Sequence, residues 1–303
     1  MPTAKTSPLR ATKVTRNVSG GGRPVLKWAG GKSRLVGEIL GRLPETIDTY
    51  YEPFVGSGAV FFALASAGRF RRAVLGDRNP ELIDVYRSIK RDVASVISLL
   101  RGYAYDRDFY YEVRAWDPSK LDLAERAART IYLNKAGFNG LYRVNRSGQF
   151  NVPFGRHASP NICDEPRLNA AAELLKRVKL EIGDFAKISA ASAPGDAVYF
   201  DPPYVPLSKT SNFTAYHSDV FDDSEHERLS VTFNQLSKRG VWAVLSNSDT
   251  PRTRELYEPF AIDRIMVTRP INSKSTQRGN VAEILVSNQG GGSARKTRAK
   301  SAV

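Results

Sequence analysis

The 303-residue chain has one cysteine, Cys163, and three histidines, His157, His217 and His226. A single thiol cannot form an internal disulfide, and histidines at no ligand-like spacing give no reason to expect a protein-bound catalytic metal. No run of roughly 18 apolar residues is present, and residues 1–22 lack the apolar segment of a secretory signal. A cytoplasmic protein without a membrane span is therefore expected. Acids are also scarce: 31 Asp and Glu stand against 45 Lys and Arg, for a formal net charge of +14. Basic proteins concentrate near polyanions and gain affinity by releasing condensed counterions, which makes nucleic acid the leading partner. Much of the excess lies at the ends. Residues 1–23 carry five basic side chains and residues 290–303 carry four, with no acid in either, leaving +5 for the body.

Both tails, residues 1–22 and 289–303, are rich in Lys, Arg, Ser, Thr and Gly, a composition that cannot offset the entropy of ordering, so they are expected to stay disordered. Between them, short β-branched and aromatic runs predict seven strands, at residues 49–54, 73–76, 178–182, 197–200, 241–246, 261–267 and 281–286. Amphipathic stretches at 58–67, 80–100, 167–177 and 224–238 alternate with them. That alternation predicts an α/β fold with a mostly parallel sheet, its last two strands forming an antiparallel hairpin. The interval 101–166 breaks the rhythm with helical patterning at 106–116 and 121–135 and a loop rich in Gly, Asn, Arg and aromatics. It reads as an insertion into a domain made of residues 23–100 and 167–288.

Two segments carry chemistry. Tyr51-Glu52-Pro53-Phe54-Val55-Gly56-Ser57-Gly58 joins a strand to a helix, where glycines let a ligand approach the backbone at a helix N-terminus. Phe61 stands where a dinucleotide fingerprint has its third glycine, and Leu26 where a P-loop has its first, so neither NAD nor ATP is favoured. Asp77, 19 residues after Gly58, has the offset of a carboxylate that accepts the ribose hydroxyls of an adenosine. The second segment, Val198-Tyr199-Phe200-Asp201-Pro202-Pro203-Tyr204, is a buried strand stopped by an acid and two prolines. Prolines cannot continue a ladder, so the strand end is left with acceptor oxygens. An exocyclic amine needs such acceptors to become nucleophilic: Asp201 and the Pro202 carbonyl would hold its two hydrogens, and Tyr204 would stack on the extruded base. A third segment, residues 134–157, holds Lys135, Arg143, Arg146 and Arg156 among Phe138, Tyr142, Phe150 and Phe154 with no acid, a mixture suited to phosphate contact and base wedging.

Together with Leu26-Lys27-Trp28-Ala29-Gly30-Gly31-Lys32, Asp77-Arg78-Asn79, Tyr132-Leu133-Asn134-Lys135, Phe154-Gly155-Arg156, Asn212-Phe213-Thr214-Ala215-Tyr216-His217 and Leu245-Ser246-Asn247-Ser248-Asp249-Thr250, these segments make the chain resemble the Dam family of DNA adenine-N6 methyltransferases over residues 25–286. The resemblance implies a Rossmann-like methyltransferase fold, with residues 101–166 as a helical target-recognition domain. It also implies S-adenosylmethionine bound by Trp28, Ala29, Lys32, Phe54, Gly56, Asp77, Asp184, Phe185 and Asp201, with Asp184 facing the adenine amine of the donor. Double-stranded DNA would be met by Lys27 and Arg143 at guanines, Phe138 as a wedge, Asn139 and Leu141 at base edges, and Arg156 at a phosphate. His157 belongs to the same set, although it stands where the family carries tyrosine. The implied target is an adenine in GATC, with residues 208–217 closing over it. A metal-free monomer, associated with the nucleoid, is expected. Two other readings stay open on the residues: methylation of cytosine N4, whose amine needs the same acceptors, and a DNA-binding protein without catalysis.

Overall fold

The computed structural model describes residues 22–205, 221–268 and 280–289. Apart from Gly22 and Gln289, the tails lie outside the described residues, as does the expected closing segment 208–217. Seven strands, Ile47–Glu52 (β1), Phe70–Asp77 (β2), Val178–Ile182 (β3), Ala197–Phe200 (β4), Trp242–Ser248 (β5), Ala261–Thr268 (β6) and Asn280–Ser287 (β7), form one sheet in the order β3-β2-β1-β4-β5-β7-β6. β3, β2, β1, β4 and β5 run parallel to one another, whereas β7 is antiparallel to both β5 and β6. This is the expected Rossmann-like methyltransferase sheet. The terminal pair is antiparallel as expected, but β7 is its inner member, wedged between β5 and β6. That placement carries the start of β7 to the carboxyl ends of the parallel strands.

The helices among the described residues are Val36–Leu40 (α1), Ala59–Ser66 (α2), Pro80–Arg101 (α3), Arg107–Ala115 (α4), Leu123–Ala136 (α5), Glu165–Leu175 (α6), Phe185–Ser189 (α7), Asp223–Lys238 (α8) and Pro251–Leu256 (α9). Local chemistry sets their starts. Asn79 accepts the Leu82 N–H ahead of Pro80 in α3, and Asp122 and Glu125 form a reciprocal capping box on α5. β4 is buried at all four positions, so its apolar run shows no alternation, as befits a strand covered on both faces. One face packs Phe200, Leu229, Phe233 and Tyr257; the other packs Tyr50, Phe61, Ile83 and Tyr86. Tyr110, Val113, Tyr132 and Leu133 from α4 and α5 continue that second core, so the helices of the insertion are built onto α3. No described helix is long and apolar enough to cross a membrane.

In this order the chain reverses direction across the sheet between β1 and β4, and ligands of doubly wound sheets bind outside the carboxyl ends of such a pair. The glycine turn follows β1, and the acid-proline-proline segment follows β4. Two motifs some 150 residues apart thus share one edge.

Candidate active site and nucleic-acid interface

At the end of β1 the chain turns through Gly56 and Gly58, with φ of 46° and 69°, a left-handed region that side chains rarely adopt. A Cβ on Gly56 would stand 3.1 Å from the Trp28 ring. The turn is held from below. Asp77 accepts the Gly56 N–H at 3.2 Å and the Asn79 N–H at 2.9 Å, and the Tyr86 hydroxyl donates to the Gly56 carbonyl at 2.8 Å. Burial pushes the Asp77 carboxyl up, and these N–H donors pull against it. The Arg78 N–H bears on the same carboxyl, and of its four lone-pair sites these donors leave at least one for a ligand hydroxyl.

Trp28, Ala29, Lys32, Gly56 and Asp201 line one cleft, which Glu52 completes. Phe54 and Phe185 stack beside it at 5.5 Å between centroids. Phe221 meets both rings, and the Arg228 guanidinium lies 4.1 Å from the Phe185 centroid. Asp184 starts α7, where its carboxylate is fully engaged. Oδ1 accepts from Arg228 at 2.9 Å and from the Ala186 N–H at 2.9 Å, and Oδ2 accepts from Arg228 at 2.5 Å and Arg78 at 3.0 Å. The hydrogen bonds from Arg228 hold this carboxyl far below the usual range. An adenine amine reaching Asp184 would have to replace one of these donors.

Asp201 lies just past β4 with 19% of its side chain exposed. Lys32 Nζ sits 2.7 Å from Oδ1, and the Ser246 hydroxyl donates to the same oxygen at 2.9 Å. Burial raises the Asp201 carboxyl, with Lys32 the main opposing influence. Among the described residues no donor bonds Oδ2 or the Pro202 carbonyl, so two acceptors are left at the strand end. Lys32 also donates to the Gly30 carbonyl at 2.6 Å and stands 4.6 Å from the Tyr204 ring centroid. Tyr199, buried in β4, shares a 2.8 Å hydrogen bond with Ser246 and so anchors the serine that holds Asp201.

Four contributors have no role assigned from the sequence: Glu52 and Ser246, which stand within its motifs, and Glu283 and Arg228, which do not. Glu52 is buried and accepts from the Tyr50 hydroxyl at 2.9 Å, and burial pushes its carboxyl up to about 8. The folded chain therefore keeps a proton that the unfolded chain releases in the ordinary carboxylate range. Stability linked to Glu52 is full at acid pH and is lost as pH rises from about 5 through 8. Glu52→Gln should flatten that decline, read as the difference between the wild-type and variant melting temperatures across this window. A difference that does not change with pH would contradict a buried, proton-holding Glu52.

The basic aromatic segment folds against the glycine turn. Asn134, on α5 and 2% exposed, accepts the Lys27 N–H at 2.9 Å and donates to the carbonyls of Lys27 and Gly140 at 2.8 and 2.9 Å. This places Lys27 beside the turn Phe138–Gly140, where Asn139 is left-handed with φ 55°, a conformation asparagine tolerates. Phe138 and Leu141 are exposed at 50% and 39% although large and apolar. Tyr142 stacks on Trp28 at 5.0 Å, so the cleft and this surface share a wall. Arg143 donates to the side chain and carbonyl of Asn151 at 2.6 and 3.0 Å, which fixes its direction. Arg156 is exposed. His157 turns inward: its backbone N–H donates to the Tyr105 hydroxyl at 2.8 Å and its ring bonds the Gly137 carbonyl at 3.2 Å.

Gly155 packs where no Cβ fits, since one would lie 2.7 and 2.8 Å from the Gly137 and Ala136 carbonyls. Gly155→Ala should cost about 1 kcal/mol or more and displace residues 154–157, lowering duplex affinity along with the melting temperature. Unchanged melting and affinity would show that this backbone approach is not needed. No group of three His, Cys, Asp or Glu side chains among the described residues could hold a metal ion.

Comparison with known proteins extends this geometry. A family model described as D12 class N6 adenine-specific DNA methyltransferase matches residues 28–271. The Type II methyltransferase M1.LlaDCHI of Lactococcus lactis subsp. cremoris is 42% identical over 276 residues, covering 88% of this chain and 96% of its own length. The Type II methyltransferase M.MjaIII of Methanocaldococcus jannaschii is 40% identical over 285 residues, covering 88% and 99%. The DNA adenine methylase of Escherichia coli K12 is 36% identical over 267 residues, covering 87% and 94%. The chain belongs to the D12 class of N6 adenine-specific DNA methyltransferases.

Proposed function

We propose that the protein transfers a methyl group from S-adenosylmethionine to N6 of an adenine flipped out of double-stranded DNA, within GATC. The observation that carries this reading is the pair of acceptors, Asp201 Oδ2 and the Pro202 carbonyl, at the carboxyl end of β4, next to a cleft lined by Trp28, Lys32, Glu52 and Gly56. The residues present fit the donor. Asp77 has lone pairs to spare for a ribose hydroxyl, the half-buried Phe54 ring offers an apolar wall for a purine, with Phe185, 1% exposed beneath Phe54 and Arg228, supporting it from behind, and Glu52 can face an ammonium once it gives up its proton. Asp184 is assigned to the purine's amine by resemblance, with Arg78 or Arg228 giving up a hydrogen bond to make room. When bound, the donor supplies an electrophilic methyl on a sulfonium, which drives the reaction without a metal.

The protein's part is alignment and electrostatics. The lone pair of an adenine amine is delocalised into the ring, and acceptors on both hydrogens favour a tetrahedral nitrogen. Lys32 and Ser246 hold Oδ1 of Asp201, which aims Oδ2 and leaves it to the amine. Tyr204 offers a ring face to the flipped base. Asp201 need not be a strong base, because the nitrogen becomes acidic only as its new bond forms. Residues 101–166 act as the target-reading part, with Phe138 wedging, Arg143 at a guanine, Asn139 and Leu141 at base edges and Arg156 at a phosphate, and Lys27 from outside the insertion meets the other guanine. With His157 tied to Gly137, its place at the interface is filled by its backbone neighbourhood rather than its ring.

Incubation with labelled donor and a duplex carrying GATC, followed by digestion to nucleosides, tests the reading. N6-methyladenine is expected; N4-methylcytosine or no product overturns it. The names of the E. coli and other relatives as adenine methylases support adenine over cytosine.

A further inference from the structure

The aromatic ring of Tyr204 is held from the far side of the sheet. Its hydroxyl donates to Glu283 Oε2 at 2.7 Å, although the two residues lie 79 positions apart. Glu283 is 6% exposed on β7, paired in register with Ser248 of β5 and Ile265 of β6. Only because β7 runs antiparallel between those strands does an acid near its start arrive at the carboxyl end of β4. The next residue is pinned as well, since the Val205 N–H donates to Asn247 Oδ1 on β5 at 3.1 Å. Burial pushes the Tyr204 hydroxyl well up, so it remains a donor across the working pH range.

We infer that Glu283 is a positioning residue for methyl transfer: it fixes the plane of the Tyr204 ring against which the target base stacks. This rests on the reading of Asp201 to Tyr204 as the target-base site. A phenol turning freely about its side-chain torsions must be ordered each time a base arrives, whereas one tied to a buried carboxylate is ordered beforehand. The charge-assisted bond also enriches the ring in electron density, which strengthens its attraction for the Lys32 ammonium 4.6 Å from its centroid. One acid on β7 thereby aligns the stacking ring together with the lysine that holds Asp201.

The test compares Glu283→Ala, Glu283→Gln, Tyr204→Phe and the Glu283→Ala/Tyr204→Phe double variant in the full chain. Single-turnover transfer and the fluorescence of a 2-aminopurine at the target position are measured, with melting temperatures alongside. Glu283→Ala and Tyr204→Phe should each slow transfer about tenfold and reduce the flipped-base signal, with KM for the donor changed less than about twofold. The double variant should be little slower than Tyr204→Phe, which also removes the hydroxyl's hydrogen bond with Ser246, because Glu283 acts on transfer through that hydroxyl. Glu283→Gln, whose carbonyl accepts the same hydrogen, should keep most of the rate. Wild-type rates in Tyr204→Phe overturn the proposal, as does a full further loss from Glu283→Ala in the Tyr204→Phe background. If Glu283→Ala does not fold, the Tyr204→Phe and Glu283→Gln rates decide it alone. Retained transfer in Asp201→Ala would instead remove the reading of the site on which the proposal rests.

Discussion

Replacing Asp201 with alanine should slow methyl transfer by about three orders of magnitude or more while leaving duplex affinity within about threefold. The reason is the division of labour within one carboxylate. Oδ1 is committed to Lys32 and Ser246, and Oδ2 is the oxygen left for the amine. Removing both oxygens takes away one of two acceptors needed to pyramidalise the nitrogen, and it frees Lys32, which then sits near the target amine as an unpaired cation. The proposed duplex contacts lie elsewhere, on the surface around Lys27, Phe138 and Arg143, so binding should survive. Asp201→Asn keeps one acceptor and loses the ion pair, and it should fall between wild type and Asp201→Ala. Single-turnover rates with labelled donor, beside anisotropy titrations of the same duplex, check both halves. Turnover unchanged in Asp201→Ala would strip Asp201 of its role, and a loss explained wholly by weaker duplex binding would make it a structural residue.

Arg143→Ala should narrow the rate gap between GATC and sites differing at one guanine by about 1 to 3 kcal/mol, with a smaller loss on near-cognate sequences. A guanidinium reads guanine through two parallel donors, and this needs a side chain already aimed outward. In the free protein Asn151 supplies that aim, taking two hydrogen bonds from Arg143 across the loop. Asn151→Ala should therefore show a weaker version of the same phenotype. Rates measured on GATC and its single-base variants separate specificity from affinity. Equal losses on every sequence would reduce Arg143 to a phosphate contact.

The legible parts of this molecule were those written in local patterns. The seven strands carry short apolar, β-branched or aromatic runs, and the longer helices carry periodicity or capping residues that act over a few positions, such as Asn79 before Pro80 and the Asp122–Glu125 box. Helices α1, α7 and α9 were not expected, because five or six residues are too few to show a helical period. Asp201 and the glycine turn were legible because prolines and glycines at a strand end have few other uses. Ser246 and Glu283 were not, since each matters through a partner on another strand, and Glu52 was not, since its bond to Tyr50 is local but its place in the cleft depends on residues such as Lys32 and Asp201 brought in from elsewhere. Arg228 belongs with them: a basic residue on an amphipathic helix looks solvated until Asp184 and Phe185 are folded against it. Asn134 lay within a quoted motif, yet its job of joining Lys27 to Gly140 depends on a contact 107 residues apart.

Methyl transfer at this site turns on two oxygen atoms, and a crystal structure of the protein with duplex and the demethylated donor would show where they point. The flipped adenine is expected against Tyr204, with N6 about 3 Å from both Asp201 Oδ2 and the Pro202 carbonyl and its free side toward the sulfur. An adenine bound there with its amine bonded to other groups, or with those two oxygens turned away from the sulfur, would contradict it.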